Sequence, residues 1–184
     1  MAPLRSLGER IIVLGPSNAG KSTLALALSE KLRLPVVHLD QLRHLPNTNW
    51  RERSDEEFAA LHDRAIGSDR WIIEGNYSRL MPQRFQRATG AILITSNRWF
   101  RLGRYMRRTF DKPSARAGQL AGAKERMKWE MVDWILFKTP ANAARYSKII
   151  KAADVPTVEC HSAKELGALY GQWGLSVPKP RKAP

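Results

Sequence analysis

The chain has 184 residues, enough for one domain with a real core, and a single cysteine, which excludes an internal disulfide framework. Its first residues carry only a short apolar stretch, which fits neither a signal peptide nor a membrane span, so a cytoplasmic protein with no membrane partner is expected. The net charge of +14, from 31 basic and 17 acidic residues, raises nucleic acid or another polyanion as a partner. That charge is focused: between Arg98 and Lys128 ten basic residues face only Asp111 and Glu125.

In chain order, Arg10 to Leu14 is an apolar run suited to a buried strand. Gly15 to Ser22 then reads Gly-Pro-Ser-Asn-Ala-Gly-Lys-Ser, the phosphate-binding pattern G-x-x-x-x-G-K-[ST]. Thr23 to Leu32 follows as a helix, with Leu24, Leu28 and Leu32 on one face. Strand, glycine-bracketed loop and helix make an anion site, where backbone N–H groups and the helix N-terminus face phosphate oxygens. Gly15, Ser17, Asn18, Ala19, Gly20, Lys21, Ser22 and Thr23 are therefore the expected nucleotide contacts. Lys21 is placed to reach the β- and γ-phosphates and Ser22 to offer its hydroxyl to Mg²⁺. Pro16 has no N–H and must sit where none is needed, while Asn18 tolerates left-handed backbone better than most residues.

Leu34 to Leu39 reads as a second strand with Asp40 at its end, and 41–53, with Pro46, Asn47 and Asn49, as a loop. Ser54 and Glu57 form a capping-box signature for a helix over about 55–66. Trp71 to Ile73 is a third strand ending at Glu74, Ala91 to Thr95 a fourth and Pro156 to Cys160 a fifth. Ser162 and Glu165 cap a last helix by the same logic. Strands alternating with helices predict an α/β fold with a parallel sheet covered on both faces. Ligands sit beyond the carboxyl ends of such strands, the edge that Asp40, Glu74 and the phosphate loop share.

Residues 97–110 form a helix with two faces. Trp99, Leu102, Met106 and Phe110 lie on one arc, expected to pack on the sheet, and Arg101, Arg104 and Arg108 lie on the opposite arc. Those arginines read either as a solvated surface or as groups aimed at transferring phosphates. Residues 111–123, with Pro113, Gly118 and Gly122, have the composition of a mobile lid that includes Arg116, or of an ordinary surface loop. Trp129 to Phe137 reads as a buried helix ended by Pro140. The tail from 174 to 184, Pro- and Lys-rich, is expected to be disordered beyond a single domain over 1–173. Glu74 is the candidate to organise Mg²⁺ with Ser22, and Asp40 the candidate to accept the proton of an acceptor hydroxyl. His38, Asp40 and His44 lack a fourth partner for zinc. Cys160 reads as a small buried apolar residue.

Gly15 to Thr23, His38 to Leu42, Asp69 to Arg79 and the arginine helix from Arg98 together resemble the small P-loop kinase-like proteins of the DNA topology modulation (FlaR-related) family, themselves similar to adenylate kinase and shikimate kinase. The resemblance implies a three-layer P-loop NTPase fold of the nucleoside-monophosphate-kinase type, with a five-stranded parallel sheet in the order 2-3-1-4-5. It also implies ATP with Mg²⁺ at the loop and lid-opening arginines over 104–108. The chain departs from adenylate kinase in carrying Glu-Gly-Asn-Tyr-Ser-Arg from Glu74 where that family has Asp-Gly-Phe-Pro-Arg. The expected activity is transfer of the ATP γ-phosphate to a small molecule or nucleotide, with Lys21, Asp40, Glu74, Arg104 and Arg108 catalytic. The alternatives are a nucleic-acid-binding protein that uses ATP as a switch, or a kinase of polynucleotide ends.

Overall fold

The computed structural model describes the backbone of residues 2–110, 118, 120 and 129–178, and the side chains of all of these except 108, 110 and 138–144. Five strands, β1 (Arg10–Leu14), β2 (Val36–His38), β3 (Trp71–Glu74), β4 (Gly90–Ile94) and β5 (Thr157–Cys160), form one sheet in the order β2-β3-β1-β4-β5. Every pairing is parallel. The helices are α1 (Lys21–Leu32), α2 (Leu39–Arg43), α3 (Asp55–Gly67), α4 (Met81–Arg87), α5 (Arg98–Phe110), α6 (Trp129–Asp133), α7 (Thr139–Ala152) and α8 (Ala163–Trp173). Among the described residues no helix is long and apolar enough to cross a membrane.

Alternating strand residues build two cores, which is why the strands read as unbroken apolar runs. Ile11, Val13, Ile72, Ile92 and Ile94 pack with Leu24 and Leu28 of α1 and Leu169 and Trp173 of α8. Ile12, Leu14, Ile73, Ala91 and Leu93 face the other way, against Phe58 and Ile66 of α3, Met81 and Phe85 of α4 and Tyr146 and Ile150 of α7. The result is a three-layer α/β fold. The Ser54–Glu57 capping box closes reciprocally at the start of α3, and Ser162 accepts from the Glu165 N–H at the start of α8. Cys160 is buried among apolar neighbours.

Four expectations need correction. The second strand is shorter, and Leu39–Arg43 turns into helix, so Asp40 stands in the first turn of α2 rather than at a strand end. Helix α5 departs from its amphipathic reading at its first turn, while Leu102 and Met106 are half-buried as expected. Arg101 is buried, while Trp99 is 62% exposed. The Arg101 guanidinium is drawn inward because it donates from Nε to the Ser96 carbonyl (3.2 Å) and from Nη2 to the Ile135 carbonyl (3.2 Å). The segment from Trp129 is helical but not a buried helix: Trp129 and Phe137 are exposed and Ile135 is buried, with a π-helical turn over Trp134–Lys138. Pro140 does not end a helix, because it falls in the first turn of α7, where its missing N–H costs nothing.

Candidate functional site

The chain leaves β1 through Gly15 at φ +141, and a Cβ there would run into the Ile94 carbonyl of β4. Only glycine tolerates both that angle and that approach. Asn18 takes φ +63, in the left-handed region that asparagine accepts, and Gly20 at φ +108 leads into α1. The Ala19 N–H donates to the Pro16 carbonyl at 3.3 Å, and Lys21 Nζ donates to the same carbonyl at 3.2 Å. The lysine thus lies along the loop at the N-terminus of a twelve-residue helix, where backbone donors and the macrodipole favour an anion.

Glu74 is the hub beside it. His38 ends β2 directly across from Glu74 in the strand register. Its Nδ1 lies 2.9 Å from Glu74 Oε1, and Ser22 Oγ donates to that oxygen at 2.9 Å. Burial pushes the Glu74 carboxyl up, but the His38 hydrogen bond, the Lys21 charge and the Ser22 hydroxyl outweigh it and hold the carboxyl below its ordinary range. An ionised, buried carboxylate next to a hydroxyl is a set of hard oxygen donors, which suits Mg²⁺. Among the described residues no cluster of three or more His, Cys, Asp or Glu is placed to hold a metal by itself.

Arg104 reaches the loop from α5. Its Nη1 lies 3.5 Å from the place a Cβ on Gly20 would take, and its guanidinium sits over the Phe100 ring at 5.9 Å. Of the expected lid only Gly118 and Leu120 are described. A Cβ on Gly118 would come within 2.8 Å of His38 Nδ1 and 3.2 Å of Ser22 Oγ, so this residue lies against the Ser22–His38 pair. The Arg108 side chain, Arg116 and the tail from 179 fall outside the described residues. Lys21, Ser22 and Glu74 thus come together, with Arg104 at the loop. Asp40 stands in a separate cluster, where it accepts from the Tyr77 hydroxyl at 2.7 Å.

Three residues were not singled out from the sequence. The sequence groups His38 only with Asp40 and His44, as a zinc set that is set aside for want of a fourth ligand. Asn76 lies just past Glu74, and its carboxamide spans both polar groups of Gly15, accepting from the N–H at 3.2 Å and donating to the carbonyl at 3.0 Å. Arg84 of α4 is fully buried and donates to the carbonyls of Gly75 (3.2 Å), Asn76 and Tyr77 (3.2 Å). Burial pushes its guanidinium down to about 10, against a smaller upward pull from Tyr146. The only signal for Asn76 was its place in the Glu74-to-Arg79 run.

No protein-family model matches the chain, and no curated protein matches it. Among solved structures, a shikimate kinase from Bacteroides thetaiotaomicron superposes with a TM-score of 0.52 at 16% identity, covering 91% of this chain and 99% of that one. A gluconokinase from Sinorhizobium meliloti 1021 superposes with a TM-score of 0.50 at 16% identity, covering 92% of this chain and 91% of that one. At such identities the likeness is one of fold: this chain shares the three-layer α/β architecture of those two kinases, with a parallel sheet in the order β2-β3-β1-β4-β5.

Proposed function

We propose that the chain is an ATP- and Mg²⁺-dependent kinase that transfers the γ-phosphate of ATP to a hydroxyl of a small molecule or nucleotide. The observation that carries this reading is the meeting of Lys21, Ser22 and an ionised, buried Glu74 at the mouth of a glycine-bracketed loop. Backbone N–H groups at the N-terminus of α1 and in the loop before it cradle the β- and γ-phosphates, and Lys21 neutralises charge that develops between them. Arg104, beside Gly20, adds a second cation to the transferring group. Ser22 and Glu74 hold Mg²⁺, which screens the phosphates when bound. Asp40, exposed in α2, takes the proton of the acceptor hydroxyl as its oxygen bonds to Pγ and the bond from Pγ to the β-phosphate oxygen breaks, leaving ADP. The kinase-type fold supports the reading.

Lys21→Ala tests it. Among the described residues the Lys21 amine donates to the Pro16 carbonyl alone, so the fold should survive. Nucleotide-dependent phosphate transfer, measured above the ATP-hydrolysis baseline, should fall at least about 100-fold. Wild-type protein that gives no calorimetric or thermal-shift response to ATP with Mg²⁺ at millimolar levels would overturn the assignment.

A further inference from the structure

The side chains around Asp40 form a connected cluster on α2, the 44–52 turn and α3. The Tyr77 ring that donates to Asp40 packs on Phe58 with centroids 4.9 Å apart, and the Arg43 guanidinium lies over the same Phe58 ring at 5.5 Å. Arg43 is fully engaged. Its Nη1 donates to Asp55 Oδ1 at 2.6 Å, and its Nε and Nη2 donate to Glu52 Oε2 at 3.1 and 2.5 Å. Arg79 pairs with the other Asp55 oxygen. Arg53 Nη1 donates to the carbonyls of Gln41, Leu42 and His44, at the C-terminal end of α2. Arg84, behind this cluster, is held by three carbonyls. Arg51 is exposed on the turn.

Glu52 and Asp55 therefore stand against Arg43 and Arg79, and Asp40 faces the Tyr77 hydroxyl, in a chain whose net charge is +14. Recognition of a phosphate or carboxylate needs a guanidinium fork to close on it. Here the Arg43 fork is closed on two carboxylates of the protein itself. The Glu52 hydrogen bond is the main cause that raises Arg43, and the Arg43 hydrogen bond is the main cause that lowers Asp55, so both partners are ionised at neutral pH. An anionic acceptor would have to displace those carboxylates and settle next to a third, Asp40. A neutral hydroxyl can donate to the Asp40 carboxylate without disturbing either ion pair.

We infer that the acceptor is an uncharged hydroxyl compound, of the class of nucleosides, neutral sugars and polyols. Phosphate- and carboxylate-bearing acceptors are rejected because the Glu52–Arg43–Asp55 fork is closed. This rests on the kinase reading above and narrows its acceptor.

The first arm of the test compares matched neutral and anionic acceptors, using the full chain with ATP and Mg²⁺: thymidine against thymidine monophosphate, adenosine against AMP, and ribose and glycerol against gluconate and shikimate. The best neutral compound should exceed every anionic one by about 100-fold or more in kcat/KM, and an anionic compound equal to it overturns the inference. The second arm does not depend on turnover. Binding of AMP, gluconate and shikimate is measured by calorimetry, with ADP and Mg²⁺ present, for wild type, E52Q and E52Q/D55N, each checked by thermal melting. Opening the fork should tighten anion binding at least about tenfold in the double variant, with E52Q between. Wild type that binds these anions as tightly as E52Q/D55N overturns the inference. A failed kinase reading shows separately, as no response to ATP itself, while the fork comparison still reads.

Discussion

The carboxamide of Asn76 meets both backbone polar groups of Gly15, so one side chain from the end of β3 fixes the residue at which β1 becomes the phosphate loop. Asn76→Ala leaves both groups to find other partners, at a cost of about 1–3 kcal/mol. Because Gly15 opens the loop, the Kd for ATP with Mg²⁺ should rise at least about threefold, a loss of roughly 0.7 kcal/mol of binding. Asn76→Asp should not restore it, since a carboxylate turned to the Gly15 carbonyl accepts where a donor is needed. Equal ATP affinity in wild type and Asn76→Ala, measured well below either melting temperature, would reduce Asn76 to a structural residue. The loop itself was legible in the sequence because its parts are contiguous: two glycines, a lysine and a hydroxyl residue at fixed spacing. Asn76 and the His38–Glu74 pair were not, because their partners are 61 and 36 residues away. Strand register, not local pattern, brings them together.

Among the elements, α5 shows where periodicity misleads. Its apolar arc was read as the sheet-facing side, yet the helix turns Arg101 inward and leaves Trp99 and Phe100 exposed. The choice is made by backbone acceptors: the carbonyls of Ser96 and Ile135 are met by this guanidinium, and Arg98 reaches toward the Leu136 carbonyl at 3.4 Å. A hydropathy pattern cannot see acceptors supplied by another segment. Helix α4 follows the same logic around Arg84, whose charge is spent on three carbonyls of the turn after β3. Arg84→Met removes donors from all three while relieving a buried charge, so the net loss is set at about 2–4 kcal/mol by the stranded carbonyls. Arg84→Lys keeps the charge but cannot span the three acceptors, and should lie between. Denaturant unfolding at pH 7 reads both, and a change within about 0.5 kcal/mol for Arg84→Met would show that water replaces the guanidinium.

At the scale of the whole molecule, the order β2-β3-β1-β4-β5 puts β1 at the centre, with β3 and β4 as its neighbours. Loop, Glu74 and Ser22 then share one edge of the sheet. Strand–helix alternation made this layered arrangement legible, since each strand is an apolar run closed by polar or turn residues. The charge was harder to read. The +14 total admits a nucleic-acid partner, but the described guanidiniums are largely turned to the protein: Arg101 and Arg84 to carbonyls, Arg43 and Arg79 to carboxylates.

The two readings of that charge separate in one titration. An ATP-switched DNA-binding protein must bind DNA with different affinity in its nucleotide-bound and nucleotide-free states, because a ligand shifts only what it binds differentially. A kinase whose basic surface is incidental has no such coupling. Labelled duplex DNA should therefore bind with a Kd no tighter than about 10⁻⁶ M at physiological salt, with log K falling linearly against log salt. Saturating ATP with Mg²⁺ should move that Kd by less than about twofold, since nucleotide cancels part of the charge near the loop and contacts nothing on the duplex. A tenfold tightening of DNA binding by ATP, equal to about 1.4 kcal/mol of coupling, would make the switch the better account. It would also require ATP to bind tenfold tighter in the presence of DNA, which the reverse titration checks independently.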